Sequence, residues 1–462
     1  MGGRQRRRVV ILGAAGRDFH DFNVVYREDP ATEVVAFTAA QIPGIDQRVY
    51  PPSLAGPHYP DGIPIFPEAD LEDLVRCRHA DEVVLAYSDL SHEQVMHLGS
   101  RALAAGASFS MLAPSTTWLR SIRPVIAVCA VRTGAGKSQT SRYVAGLLTA
   151  AGCSVALIRH PMPYGNLEAM RVQRFATIAD IDASNPTIEE REEYEEPVRQ
   201  GVVVYAGVDY AEVLARAEAD ADVIVWDGGN NDTSFLAPDL QITVADALRP
   251  GQVASHHPGE LNVRLADIVV VNKTEAAAPD AVEAVTAAVR SLNATAAVVR
   301  VASPVALDDG PDLAGRRVLV VEDGPTLTHG GMPSGAGLAA ARAAGADIVD
   351  PRPSAVGSIR QTYRMYGHIG PVLPAVGYSP DQVAELEATI AGVECDAVVS
   401  GTPFDLGRLV SVARPLRRAR YRLAEVDRTP LRDILEPYIR RWAPPLSAST
   451  PPPALPPRSP RR

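Results

Sequence analysis

Two lysines stand among the 45 basic residues of this 462-residue chain; every other basic position is arginine. Lys137 falls in CAVRTGAGKSQTS at 129–141, and Lys273 falls in VVVNKTE at 269–275. Both segments carry the residue types that hold a nucleotide. In VIAVCAVRTGAGKSQTSRYVAGLL an apolar strand runs into a glycine turn and then a helix. Glycines let backbone N–H groups close around phosphate, and the helix N-terminus adds positive potential. Thr133, Gly134, Ala135, Gly136, Lys137, Ser138 and Gln139 are the expected nucleotide-binding residues, with Lys137 neutralising the β- and γ-phosphates and the Ser138 hydroxyl on Mg²⁺. A compact ammonium fits inside such a loop where the broad arginine fork does not, which accounts for one surviving lysine.

Downstream, VIVWDGGNND ends an apolar strand on Asp227, the expected carboxylate near Mg²⁺, and Gly228 and Gly229 let backbone approach the γ-phosphate. In NKTE, Asn272 is placed to read a purine edge and the stem of Lys273 to lie on the ring face. Glu275 replaces the aspartate usual in such a motif, which leaves ATP versus GTP open at this point. The loop has Val131 where the standard GxxxxGK[ST] pattern wants glycine. In this it resembles the variant loop of the nitrogenase iron protein and dethiobiotin synthetase class, with Arg132 in the place of an additional lysine.

Other cations and polar groups cluster after strands. ALIRHPMPYG supplies Arg159, His160 and Tyr164 to the strand-end face of Lys137, with Arg174 nearby. Lys137, Asp227, Arg132, Arg159 and His160 are the expected catalytic set. GAAGRDFHDFN at 13–23 lacks the third glycine of a dinucleotide fingerprint, and the second strand ends without an acidic residue, which argues against a nicotinamide cofactor. Arg17, His20 and Asn23 there are candidates to hold a phosphate. The glycine-dense VEDGPTLTHGGMPSGAG adds Asp323, Thr326 and His329, and DPRPSAVGSIRQTY adds Arg352 and Arg360, as candidate substrate residues. The run TIEEREEYEE at 187–196 reads as a solvated acidic helix.

These motifs need strands to present them. Short β-branched runs alternate with alanine-rich, helix-compatible segments along nearly the whole chain, the pattern of parallel α/β sheets. The spacing predicts a Rossmann-like α/β domain over 1–122, a P-loop NTPase domain over 123–302, a C-terminal α/β domain over 303–442 closing on a helix near 429–441, and a disordered proline-rich tail over 443–462. A hydrophobic content of 46% with 22% charged residues is that of a globular protein. A net charge of −10 argues against a general nucleic-acid binder, which needs a cationic surface. The basic start is followed by too short an apolar stretch for a signal peptide, and no run approaches a membrane span. The four cysteines are widely spaced and read as buried thiols of a cytoplasmic protein.

Taken together, GAAGRDFHDFN, RTGAGKSQTS, RHPMPYG, QRFAT, IEEREEYE, WDGGNND, VNKTE, EDGPTLTHGGM, DPRP and GTPFDL resemble, in this order, the cyclic 2,3-diphosphoglycerate synthetase family. The resemblance implies an ATP-dependent ligase that closes a phosphoanhydride between two phosphates of a small phosphorylated acid, with Mg²⁺. Two other readings stay open: a regulatory or metal-chaperone GTPase, and another ATP-dependent ligase acting on a carboxylate or amine. A homo-oligomer is compatible with all three.

Overall fold

The computed structural model describes residues 6–40, 45, 48–162, 165–229, 231–328, 330–376 and 380–444. Tyr164, His329 and the proline-rich tail beyond 444 lie outside the described residues. Within them the chain builds three main sheets. In the first, strand Arg7–Leu12 lies between Thr32–Ala39 and Glu82–Leu85, all parallel; Ile63–Pro67 and Ser108–Met111 extend the two sides. The strand order turns at Arg7–Leu12, so the GAAG turn sits at the switch point, where open α/β sheets leave a crevice.

The second sheet has nine strands, with Val125–Ala130 at its middle between Val223–Gly228 and Leu240–Asp246. Every residue of these three strands is buried, the expected result of parallel strands covered on both faces by helices. Ile268–Asn272 and Val155–Arg159 continue the sheet outward, one on each side. Antiparallel edges, Gln173–Phe175 and Ala424–Glu425, close it. The third sheet is built around Arg317–Asp323, flanked by Ala397–Ser400 and Asp347–Ile348. Leu373–Ala375 adds a short parallel strand beside Arg317–Asp323.

Two elements depart from the sequence-based division. Helix Leu431–Trp442, assigned by its position to the third block, buries Leu431 and Leu435 in the core of the second. The short strand just before it returns the chain to the central sheet, and its apolar stripe then has that core to cover. Helix Ile188–Arg199, expected to be solvated, buries Glu190, Arg191, Tyr194 and Glu195. Arg191 donates to Glu195 (2.8 Å), and the Tyr194 ring stacks on Phe175 with centroids 4.8 Å apart. Of the cysteines, Cys129 and Cys153 are buried, but Cys77 is exposed and Cys395 half-buried, all as free thiols. Among the described residues no helix is long and apolar enough to cross a membrane.

The blocks are tied at the loop ends. Leu90–Ser91 of the first pairs with His256–His257 of the second as a two-stranded ribbon. Arg249 donates to Thr133 O (2.9 Å) and to Gly330 O (2.9 Å), fastening the glycine-dense C-terminal loop onto the central one.

Candidate active site

The strand Val125–Ala130 feeds the turn 131–136 and then helix Lys137–Ala150. Val131, where glycine was the standard residue, keeps strand bonding one residue longer by donating its N–H to Val244 O (2.9 Å). Gly134 and Gly136 then take left-handed backbone, with φ of 79° and 109°. A Cβ at Gly136 would lie 2.0 Å from the Asn272 side-chain nitrogen, so glycine is required on both counts.

Both NKTE residues grip this turn from behind. Asn272 donates to Ala135 O (2.9 Å), and Lys273 donates to Gly134 O (2.7 Å) and to Asp246 (2.8 Å). With Arg249 on Thr133 O, three successive loop carbonyls are held by side chains from outside the loop. Gly134 and Gly136 themselves line the cavity. Lys273 borders the cavity, whereas Asn272 and Ala135 are fully enclosed. Asn272 is thus first a clamp on the loop. We expect Asn272→Ala to weaken ATP and GTP binding alike, by roughly tenfold, the scale of a buried acceptor left unpaired. Calorimetric titration with both nucleotides checks this, and a loss confined to one of them would make Asn272 a base reader instead.

Lys137 is buried, with 6% of its surface exposed, and donates to the carboxylate of Asp227 (2.9 Å) and to the Asp227 carbonyl. Ser141 donates to the same carboxylate oxygen (2.6 Å), and Arg159 to the other. Arg159 also pairs with Glu193 from the acidic helix. Burial by itself would raise the Asp227 carboxyl, but Arg159 and Lys137 hold it well below the usual carboxylate range. Burial lowers the Lys137 ammonium, Arg159 adds to this, and Asp227 opposes it. Lys137, Ser138, Gln139, Arg159 and Glu193 all line one cavity of about 720 Å³ that reaches all three blocks, while Asp227 stands behind Lys137.

On the N-terminal side, Arg17 borders this cavity and donates to Asp232 (2.7 Å) and Thr233 O (2.7 Å). His160 is seated between Gly16 and Gly229, where a Cβ on Gly229 would come within 2.4 Å of its ring. Burial lowers His160; its Nε2–H donates to the Asp232 carboxylate (3.2 Å), and its Nδ1 meets the Tyr210 hydroxyl. On the C-terminal side, Asp323 and Thr326 line the wall, and Thr326 N donates to Asp323 (3.3 Å). Glu322 lies beside them, accepting from the N–H groups of Gly335, Gly337 and Leu338 (2.7–3.1 Å); burial pushes its carboxyl up to about 7.

Several expected site residues are not brought here. His20 is buried, donates to Thr117 O (2.8 Å) and stacks on Phe235 at 4.2 Å, a packing role. Asn23 donates to Val208 O (3.2 Å) and accepts from Tyr50. Arg174 pairs with Asp220 on an edge strand (2.8 Å), and Gly228 is packed against the Trp226 ring. Arg352 is held on the surface by Asp350, and Arg360 donates to Ala355 O (2.7 Å); neither borders the cavity. Arg132 turns away from the loop to Asp89 (2.7 Å) and His256 (2.6 Å). Glu193 and Glu322 were missed by sequence reasoning. Glu193 was one of many glutamates in its run, and Glu322 stood beside the more conspicuous Asp323.

A glycine turn between buried strand and helix, a lysine folded into it, and a strand-end aspartate define a nucleotide-binding P-loop enzyme. No family model matches the chain. Among curated proteins, it is 54% identical over 441 residues to arginine synthetase ArcE of Thermococcus kodakarensis, covering 95% of this chain and 98% of that protein. The chain belongs to the family of that arginine synthetase, a ligase-type class of enzyme. Solved structures similar in part include LpxK of Aquifex aeolicus in complex with ATP (15% identity, TM-score 0.39, 71% of this chain and 90% of that one). Another is the hydrogenase maturation factor HypB of Archaeoglobus fulgidus (13% identity, TM-score 0.25, 46% and 89%).

Proposed function

We propose that the chain is an ATP-dependent ligase that makes arginine by exchanging the ureido oxygen of citrulline for ammonia, releasing ADP and phosphate. A ureido oxygen is a poor leaving group. Attack of that oxygen on the γ-phosphorus, with departure of ADP, converts it into a phosphate ester. Ammonia then adds to the same carbon, and phosphate leaves with one ammonia proton. The cation cluster of Lys137 and Arg159, with the loop N–H groups of Gly134 and Gly136, is where the γ-phosphoryl group would be positioned and its charge offset. Ser138, on the first helical turn and on the cavity wall, would hold Mg²⁺ together with nucleotide oxygens, and the ion would supply further charge neutralisation. Asp227 has both oxygens engaged by Lys137, Ser141 and Arg159, which suits it to holding those groups in place.

The observation that carries the acceptor assignment is the charge of the wall. Among the described residues the cavity is lined by seven acidic side chains against five lysines and arginines, with burial raising two of the seven, Asp18 and Glu322, to about 7, so the wall holds no surplus of cations. Such a wall suits an amino acid whose product bears a guanidinium, and the name of the 54% identical relative points the same way. Cyclisation of 2,3-diphosphoglycerate would share the first phosphoryl transfer and would replace ammonia by a second phosphate. That acceptor calls for a surplus of cations, yet of the arginines expected to supply it Arg352 and Arg360 stand outside the cavity, while Arg17 and Arg159, which border it, are paired with Asp232 and with Asp227 and Glu193. The test is ADP release with citrulline plus ammonium, or with 2,3-diphosphoglycerate, as acceptor. Citrulline and ammonium together are expected to stimulate turnover and yield arginine; stimulation by the phosphorylated acid alone would overturn the assignment.

A further inference from the structure

The turn after strand Glu82–Leu85 brings one more carboxylate to the cavity, on a residue in an unusual backbone state. Asp89 has φ of 70°, a left-handed backbone rare for any residue with a side chain, although aspartate tolerates it better than most. The conformation is fixed by its N–H, which donates to His257 O (2.9 Å) across the interblock ribbon. Its side chain is only 6% exposed. One oxygen accepts from Arg132 (2.7 Å); the other is buried, with no hydrogen-bond partner among the described residues, and Asp89 is one of the residues that line the cavity. A carboxylate oxygen taken out of water costs free energy unless a donor meets it, and strained positions are kept where geometry serves a ligand. No donor among the described residues meets it, and the cavity is where one could arrive.

We propose that Asp89 binds an ammonium group of the acceptor side. The chemistry is a buried carboxylate oxygen receiving N–H donors from a cation. Resting on the arginine-forming reading, that cation is either the α-ammonium of the amino acid or the incoming ammonium itself. Arg132, the first residue after Val131, then has a role different from the one its position suggested. It anchors Asp89 to the root of the phosphate loop, so acceptor and nucleotide are gripped by one connected piece of structure.

Asp89→Asn is the informative variant, because asparagine is at home in left-handed backbone and keeps an oxygen for Arg132 while losing the charge. KM is measured separately for citrulline, ammonium chloride and ATP. A rise of about 10–100-fold for one ammonium-bearing substrate, the scale of a charged hydrogen bond, is expected, with KM for ATP within about twofold of wild type. A rise for citrulline, together with equal binding of 5-ureidopentanoate by both proteins, assigns the α-ammonium. A rise for ammonium chloride alone assigns the incoming nucleophile. An active wild type with both values unchanged in the variant overturns the proposal. If the wild type turns over neither substrate, the arginine reading fails by itself. Calorimetry with ammonium chloride and L-ornithine then decides the site: binding lost in the variant sustains it, and equal or no binding by both proteins removes it.

Discussion

Lys137→Arg is expected to lower kcat by about 10²–10³-fold, nearly as far as Lys137→Ala, although the charge is kept. The lysine side chain is buried at the cavity wall and ends on both the carboxylate and the carbonyl of Asp227, with Arg159 and Ser141 on that same carboxylate. A guanidinium is broader than an ammonium and carries its donors in a rigid fork, so it would collide with this wall or withdraw from the loop. Steady-state ADP release at saturating substrates measures the effect, and an unchanged thermal melt shows that the fold survives. An arginine variant within a few-fold of wild type would mean that steric fit is not why the lysine survives.

Arg159→Ala is expected to destabilise the protein by about 3–5 kcal/mol, because it leaves two carboxylates without their shared cation in a buried setting. Arg159 is 1% exposed and bridges Asp227 to Glu193. The pH dependence has a definite sign. In the wild type the folded-state value of Asp227 is depressed, so its contribution is present above the unfolded carboxylate range near about 4 and is lost as pH falls below it. In the variant Asp227 lacks one of its two cations and its value rises. The stability gap between the two proteins is therefore widest at neutral pH and narrows on acidification. Urea unfolding at pH 7 and pH 4 measures both; a gap that is the same at both pH values would mean that packing, not charge, is what Arg159 supplies.

The phosphate loop was legible because its chemistry is local. Glycines, lysine and serine within one turn, between an apolar strand and a helix, state their geometry without help from the rest of the chain. Lys273 was legible by address and only half so by role, since its pairing with Gly134 O joins residues 139 positions apart. The acceptor side was not legible for the same reason. Arg352 and Arg360 looked like anion binders because they are arginines near glycine and proline, yet a carboxylate two residues away takes the first and the carbonyl of Ala355 the second. The acidic run at 187–196 has the composition of a solvated helix, but Arg159 on a distant strand draws Glu193 to the cavity. Helix Leu431–Trp442 was visible as an amphipathic helix, and only the short strand before it decides which core receives its stripe. Asp89 offered no sequence signal. Its interest comes from a backbone angle and an oxygen without a partner among the described residues.

Central to the proposed reaction is transfer of the γ-phosphoryl group to the ureido oxygen before ammonia enters. Citrulline labelled with ¹⁸O in the ureido group tests this directly, with mass spectrometry of the phosphate released during arginine formation. One ¹⁸O per phosphate, in step with each arginine made, is the expected result. Arginine formed with unlabelled phosphate would mean that ATP is hydrolysed apart from the ureido oxygen, and would contradict that transfer.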